Sequence, residues 1–159
     1  MQVGWKWGIA AAMAAPPLVM WMRSAPTSAA EQLEPKVVKS DQEFWVLRKK
    51  GTEPPGSGQY NKLFAPGTYN CAACKAPLYK SEAKFDSGIG WPSFHDAIPG
   101  AITRLADPSC GTSCQELVCS TCGGHLGHIF KGEWMTRKFD SNARHCVNSA
   151  SLDFVESEM

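Results

Sequence analysis

One cysteine of the seven sits among groups that could make it a nucleophile. In Arg144-His145-Cys146-Val147-Asn148, read as a strand, alternate residues share a face. A guanidinium, a thiol and an amide then stand side by side. A neighbouring cation stabilises a thiolate and makes it a better nucleophile near neutral pH. The amide can donate to a developing oxyanion or orient a neighbour. The same reading carries Ala150, Leu152 and Phe154 along that face into a core. A buried thiol acting only as a small hydrophobe fits these residues as well. His125-Leu126-Gly127-His128 adds two imidazoles, the natural proton carriers near pH 7. Positions three apart face opposite ways on a regular strand, so both rings reach one cleft only if Gly127 permits a bulge or turn. Gly88-Ile89-Gly90-Trp91-Pro92-Ser93-Phe94 reads as a shaped loop whose aromatics either fill the core or wall an apolar pocket.

Four other cysteines form two knuckles, Cys71-Ala72-Ala73-Cys74 and Cys119-Ser120-Thr121-Cys122. Two CxxC turns can converge four thiolates on one tetrahedral ion, so zinc is the expected metal. The gap between the knuckles is long, so such an ion would staple two distant segments. A thioredoxin-like redox CxxC would need a βα context that this chain lacks. Two disulfides are the remaining alternative, and His125 is a competing ligand. Cys110 and Cys114 are the spare thiols.

These groups need elements to hold them. Ser40 or Asp41 starts a short helix with Phe44, Leu47 and Arg48 on one side. Gly51 to Gly58 is a loop rich in Gly and Pro. Beyond residue 60, short apolar runs alternate with turn residues and no helical period lasts three turns, the pattern of a mostly-β domain with long loops. Residues 40–159 therefore read as one domain, and 31–39 as a linker. Residues 1–30 contain no Asp or Glu, and the apolar stretch from Trp7 to Met22 is broken by Pro16 and Pro17. That stretch is shorter than the roughly 18–20 residues a spanning helix needs. The segment reads as a targeting leader, a signal or transit peptide or else an anchor, with Ser28-Ala29-Ala30 as a cleavage site. It directs the chain to an organelle or the secretory pathway: mitochondrion, plastid or endoplasmic reticulum. Sixteen basic against fifteen acidic residues argue against a nucleic-acid partner. Nothing demands an oligomer, so a monomer is expected.

The run Thr52-Glu53-Pro54-Pro55, the first knuckle with Pro77-Leu78, Lys84-Phe85-Asp86-Ser87-Gly88, Gly90-Trp91-Pro92-Ser93-Phe94, the second knuckle with His125-Leu126-Gly127-His128, and Arg144-x-Cys146-x-Asn148-Ser149-Ala150-Ser151-Leu152 occur in that order. Together they closely resemble the methionine-R-sulfoxide reductases of the B type, over roughly residues 40 to 155. The resemblance implies two antiparallel sheets, a structural four-cysteine zinc site, and reduction of the R epimer of methionine sulfoxide in oxidised proteins. It implies Cys146 as nucleophile, passing through a sulfenic acid. It further implies that His125 and His128 supply or orient protons, that Asn148 positions substrate or water, and that Arg144 stabilises the thiolate. Trp91 and Phe130 would hold the substrate methyl group. Thioredoxin, glutaredoxin or another thiol would close the cycle.

The chain departs from that pattern in places. Ile89 stands where many relatives carry a resolving cysteine. Cys110 or Cys114 could resolve Cys146 instead, or they could pair with each other, or an external thiol could reduce the sulfenic acid directly. Lys131 and Gly132 follow the second histidine where relatives place an acid, with Glu133 one step later in a longer loop through Trp134. His145 replaces a more usual aromatic and, on the strand reading, faces away from Cys146. A zinc-stapled binding module without chemistry is the other class, but such a module has no use for Arg144, Cys146, Asn148, both histidines and Trp91 together.

Overall fold

The structure, a computed structural model, describes residues 39–110 and 114–158, together with Met1. The leader expected over 1–30 and the linker over 31–39 lie outside the described residues, Met1 and Lys39 apart. Helix α1 (Asp41–Lys49) begins where the Ser40 hydroxyl accepts the Glu43 N–H at 3.2 Å, which satisfies one of the open donors of the first turn. Asp41 and Glu43 lie at its start and Arg48 and Lys49 at its end, each complementing the helix dipole. It stops at Lys50, which adopts a left-handed conformation. Val46 and Leu47 are its buried anchors.

Among the described residues, the strands form two antiparallel sheets, as expected. In the smaller, β1 (Gly67–Cys71) lies between β2 (Pro77–Lys80) and β9 (Leu152–Glu156). The larger runs β3 (Lys84–Phe85), β4 (Ser93–Phe94), β8 (Ala143–Val147), β7 (His125–Lys131), β6 (Cys114–Cys119) and β5 (Ile102–Ala106). Tyr69 and Tyr79 from the smaller sheet meet Phe94, Leu117, Ile129 and Val147 from the larger, all fully buried. Tyr79 stacks on Phe94 with ring centroids 4.2 Å apart and planes 14° apart. Each such side chain contributes about 2–3 kcal/mol by leaving water. His145 joins this core on the face of β8 away from Cys146, its Nδ1 3.2 Å from the Tyr79 hydroxyl. Burial pushes its pKa down to about 4, so it packs as a neutral ring.

The single-strand reading from Arg144 to Phe154 is corrected. β8 ends at Val147, a 3-10 turn follows over Ser149–Ser151, and Leu152 begins a strand of the other sheet. Local polar groups make the break. The Glu53 carboxylate accepts the N–H groups of Ser149 and Ala150 at 2.6 and 3.1 Å, and the Ser151 hydroxyl donates to the His125 carbonyl at 2.9 Å. These bonds offer the backbone an alternative to the ladder.

Candidate functional site

Antiparallel pairing sets the site. Glu116 on β6, His128 on β7 and Cys146 on β8 are direct neighbours across three strands. Cys114, Phe130 and Arg144 form the next row. Residues two apart share a face, so both rows look the same way. On that face, Thr52, Trp91, Gly127, His128, Phe130, Cys146, Val147 and Asn148 line a cavity of about 180 Å³. The predicted nucleophile, one predicted histidine and both predicted apolar contacts thus meet in one place.

His125 does not line the cavity, but an irregularity brings it, buried, beside His128. The register between β6 and β7 shifts between Leu117 and Val118, so that His125 pairs with Val118 while Gly127 pairs with Leu117. The two imidazoles then lie 5.5 Å apart, centroid to centroid. Gly127 is required here for a second reason: a Cβ on it would sit 2.0 Å from the Cys146 carbonyl oxygen. Gly127→Ala is expected to cost about 3 kcal/mol of stability by forcing β7 from β8, and to lower kcat/KM. A urea titration beside a turnover assay checks both.

Each histidine is held by a carboxylate that sequence reading did not single out. The His125 Nδ1 lies 2.8 Å from Glu116 Oε1, and Lys50 donates to the other oxygen at 2.7 Å. A carboxylate can only accept, so Nδ1 carries the hydrogen. The His125 Nε2 is buried without a partner. Burial pulls the pKa of this ring down against the pull of Glu116, which keeps it neutral. The His128 Nε2 lies 2.7 Å from Asp107 Oδ2. Hydrogen bonds from Ser109 and His128 hold the Asp107 carboxyl well below its ordinary range.

Glu133, one step beyond the place where relatives carry an acid, grips Arg144. Arg144 Nε and Nη2 each donate to Glu133 oxygens at 2.7 Å, a two-pronged pair that fixes the guanidinium plane. The cation also sits 4.5 Å from the Phe130 ring centroid, and its Nη1 is buried without a partner. Burial pushes the Cys146 thiol up to about 11, although Arg144 pulls it down. The resting group is therefore a thiol, and Arg144 alone does not hold it as thiolate.

Asn148, which also lines the cavity, ties the scaffold together. Its Oδ1 accepts the Glu53 N–H at 3.0 Å and its Nδ2 donates to the Leu126 carbonyl at 3.1 Å. The Glu53 carbonyl in turn accepts the Trp91 indole N–H at 3.0 Å. Asn148 and the Thr52-Glu53 segment thereby fix the indole that walls the cavity. Glu53 is 2 % exposed, and its polar groups organise the whole corner.

The four knuckle cysteines converge, with all four sulfurs within 4.8 Å of one another. Cys71 Sγ lies 3.7 Å from Cys122 Sγ, and Cys74 Sγ 3.6 Å from Cys119 Sγ. Four sulfurs on a tetrahedral zinc would stand about 3.8 Å apart, given a Zn–S bond of roughly 2.3 Å. The residues fit a metal ion. The knuckles match: Lys75 and Gly123 have positive φ, and their N–H groups bond back to the carbonyls of Cys71 and Cys119. Because β1 ends at Cys71 and β6 at Cys119, the cluster links the two sheets. The nearby sulfurs of Cys119 and Cys122 push the Cys71 thiol well above its ordinary value. Cys110 and Cys114 are joined to each other as a disulfide.

Comparison with known proteins points to one family. The SelR domain model matches residues 39–156. Peptide methionine sulfoxide reductase B2, chloroplastic, of Arabidopsis thaliana is 54% identical over 133 residues, covering 83% of this chain and 64% of the relative. Peptide methionine sulfoxide reductase B5 of Oryza sativa subsp. japonica is 54% identical over 120 residues, covering 76% of this chain and 85% of the relative. The chain thus spans less than two thirds of the first relative and most of the second. Among solved structures, a Mis18 'Yippee-like' domain aligns with a TM-score of 0.44 at 16% identity, covering 59% of this chain and 99% of that one. With a family match running through nearly all of the described residues and more than half of the aligned positions shared with its relatives, the chain belongs to the SelR-domain family, the peptide methionine sulfoxide reductases of the B type.

Proposed function

We propose that this chain reduces methionine-R-sulfoxide in oxidised proteins to methionine, with Cys146 as nucleophile. The observation that carries the reading is the cavity in which Cys146 and His128 lie beside the apolar walls Trp91 and Phe130. The walls offer the substrate methyl group a dry surface, while the sulfoxide oxygen, a strong acceptor, turns toward the imidazoles. Exchanging methyl and oxygen, as the S epimer does, puts the oxygen against carbon and leaves it unpaired. An unpaired buried acceptor costs about 1–3 kcal/mol or more.

In the reaction, the Cys146 sulfur attacks the sulfoxide sulfur, the S–O bond breaks, and the oxygen ends on Cys146 as a sulfenic acid while methionine leaves. The thiol must lose its proton, and the oxygen must be protonated as it departs. Neutral His125, with Nδ1–H fixed on Glu116, has Nε2 free to accept a proton. His128, backed by Asp107, orients or returns one through Nδ1. Arg144, aligned by Glu133, favours negative charge on sulfur as it develops. Asn148 serves by holding the Thr52-Glu53 segment and, through it, Trp91.

Cys71, Cys74, Cys119 and Cys122 would hold a structural zinc, which supplies a cross-link between sheets and no step of the reaction. A dithiol reductant of the thioredoxin or glutaredoxin kind completes the cycle. The chloroplastic relatives support an organellar address, the reading that the acid-free residues 1–30 suggested. The test is epimer choice. With dithiothreitol and separated epimers of a methionine sulfoxide peptide, the R form is expected to be consumed and the S form left. Turnover of neither, or of both alike, would sink the reading.

A further inference from the structure

Position 89 is Ile, so the loop beside Trp91 brings no second thiol to Cys146. Two other sulfurs lie beside the site. Cys110 and Cys114 are bonded to each other, and both sulfurs lie within 4.8 Å of a ring nitrogen of His128. His128 is the cross-strand partner of Cys146. Cys114 begins β6 on the face that carries Cys146, and the 3-10 turn Pro108–Cys110 is anchored by the Asp107 carboxylate on His128. The disulfide takes up both thiolates, so with it formed these atoms are no metal site.

We propose that Cys110 and Cys114 act together as a dithiol that takes the oxidising equivalent from Cys146, ending as the Cys110–Cys114 disulfide. This rests on the reductase reading above. Geometry divides the labour. Cys114 and Cys146 lie two strands and two residues apart, hence roughly 10 Å or more between Cα atoms, and a disulfide spans at most about 7 Å. Cys114 therefore does not bridge Cys146 while the sheet is intact. Cys110 lies on a turn, and reduction frees it from Cys114, leaving Asp107 as the pivot.

The chemistry balances in two exchanges. The Cys110 thiolate attacks the Cys146 sulfenic sulfur, forming a Cys110–Cys146 disulfide and expelling hydroxide, which leaves as water after protonation. The Cys114 thiolate then attacks the Cys110 sulfur, and Cys146 departs as thiolate. In sum, one sulfenic acid and two thiols give one thiol, one disulfide and one water. The two electrons taken by methionine sulfoxide come in the end from the Cys110/Cys114 pair. The transfer also moves the oxidised sulfur outward. Cys146 lines a cavity of about 180 Å³ and is only partly exposed, whereas Pro108 and Ser109 beside Cys110 are exposed.

The experiment counts methionine. Fully reduced, metal-loaded full chain is mixed with excess R-sulfoxide peptide and no reductant. Wild type is expected to release two equivalents per chain, one through the dithiol and one left as sulfenic acid, with peptide mapping showing Cys110–Cys114 linked. Cys110→Ser/Cys114→Ser should release one, a twofold loss, and that first equivalent itself certifies a folded site. Cys114→Ser should trap the Cys146–Cys110 bridge. Cys110→Ser should leave a sulfenic acid that dimedone labels. One equivalent from wild type, or two with Cys110 and Cys114 still reduced, would overturn the relay while leaving the reductase standing. No methionine from any form would overturn the reductase reading itself.

Discussion

Cys146→Ser is expected to abolish methionine-R-sulfoxide reduction, by at least about 10³-fold, because it removes a covalent nucleophile rather than weakening one. Metal content and thermal midpoint should hardly change. The residue lies in the larger sheet, and the four metal-type sulfurs belong to two separate knuckles. Serine is close in volume to cysteine, so the strand and its neighbours His128 and Ser93 need not move. What disappears is a polarisable sulfur able to accept oxygen. A hydroxyl in the same place ionises still less readily than a thiol whose pKa burial has already pushed up to about 11. The check is turnover, metal analysis and a melting curve on one preparation. Residual activity within tenfold of wild type would remove Cys146 from its role. Lost metal would show instead that the substitution damaged the fold.

Cys119→Ser should do the reverse: lose the metal, and with it about 5 kcal/mol of folding stability. Activity should fall because the domain unfolds, not because the chemistry is touched. A domain of this size has about 5–15 kcal/mol in all, so the variant is expected to be largely unfolded at physiological temperature. The reason lies in where the cluster sits. It joins the end of β1 to the end of β6, and those strands belong to different sheets. Serine supplies no thiolate, and three thiolates hold zinc far less firmly than four. Metal stoichiometry by mass spectrometry and a urea titration decide it. A variant that loses metal yet keeps its midpoint within about 1 kcal/mol would mean the cluster is not a staple. A strong chelator acting on the wild type should reproduce the destabilisation, more slowly.

Much of this could be read from residue type and spacing. Alternation and turn residues announce a mostly-β chain, because the side-chain period of a strand is local and survives without tertiary context. Paired CxxC knuckles announce a metal because the convergence of two sulfurs is a property of the turn itself. The guanidinium-thiol neighbourhood on β8 follows from a period of two. Gly127 between two histidines pointed to an irregular strand, and the register shift at Leu117 and Val118 supplies it.

Other features depended on partners far away in sequence. The strand drawn from Arg144 to Phe154 breaks at Asn148 because Glu53, 96 residues from Ser149, captures the N–H groups of that turn. Asn148 read as a group for substrate or water, and its amide also holds Glu53 and Leu126, contacts that no local pattern announces. The carboxylates Asp107 and Glu116 were invisible as site residues because nothing local marks an acid that will meet a histidine across a sheet, and Glu133 was visible only as an acid displaced by one step, not as the partner of Arg144. The state of Cys146 also belongs to the assembled fold: an adjacent Arg lowers a thiol, but burial raises it, and the balance depends on how much protein surrounds it. By itself, then, the sequence determined the class of fold, the two knuckles placed to offer sulfurs to a metal, and the Arg144–Cys146 neighbourhood, each set by short-range geometry. The tertiary structure alone decided which carboxylate orients each imidazole, where β8 ends, how Trp91 is held, and that Cys110 and Cys114 stand beside His128, since each of these is set by strand register and long-range packing.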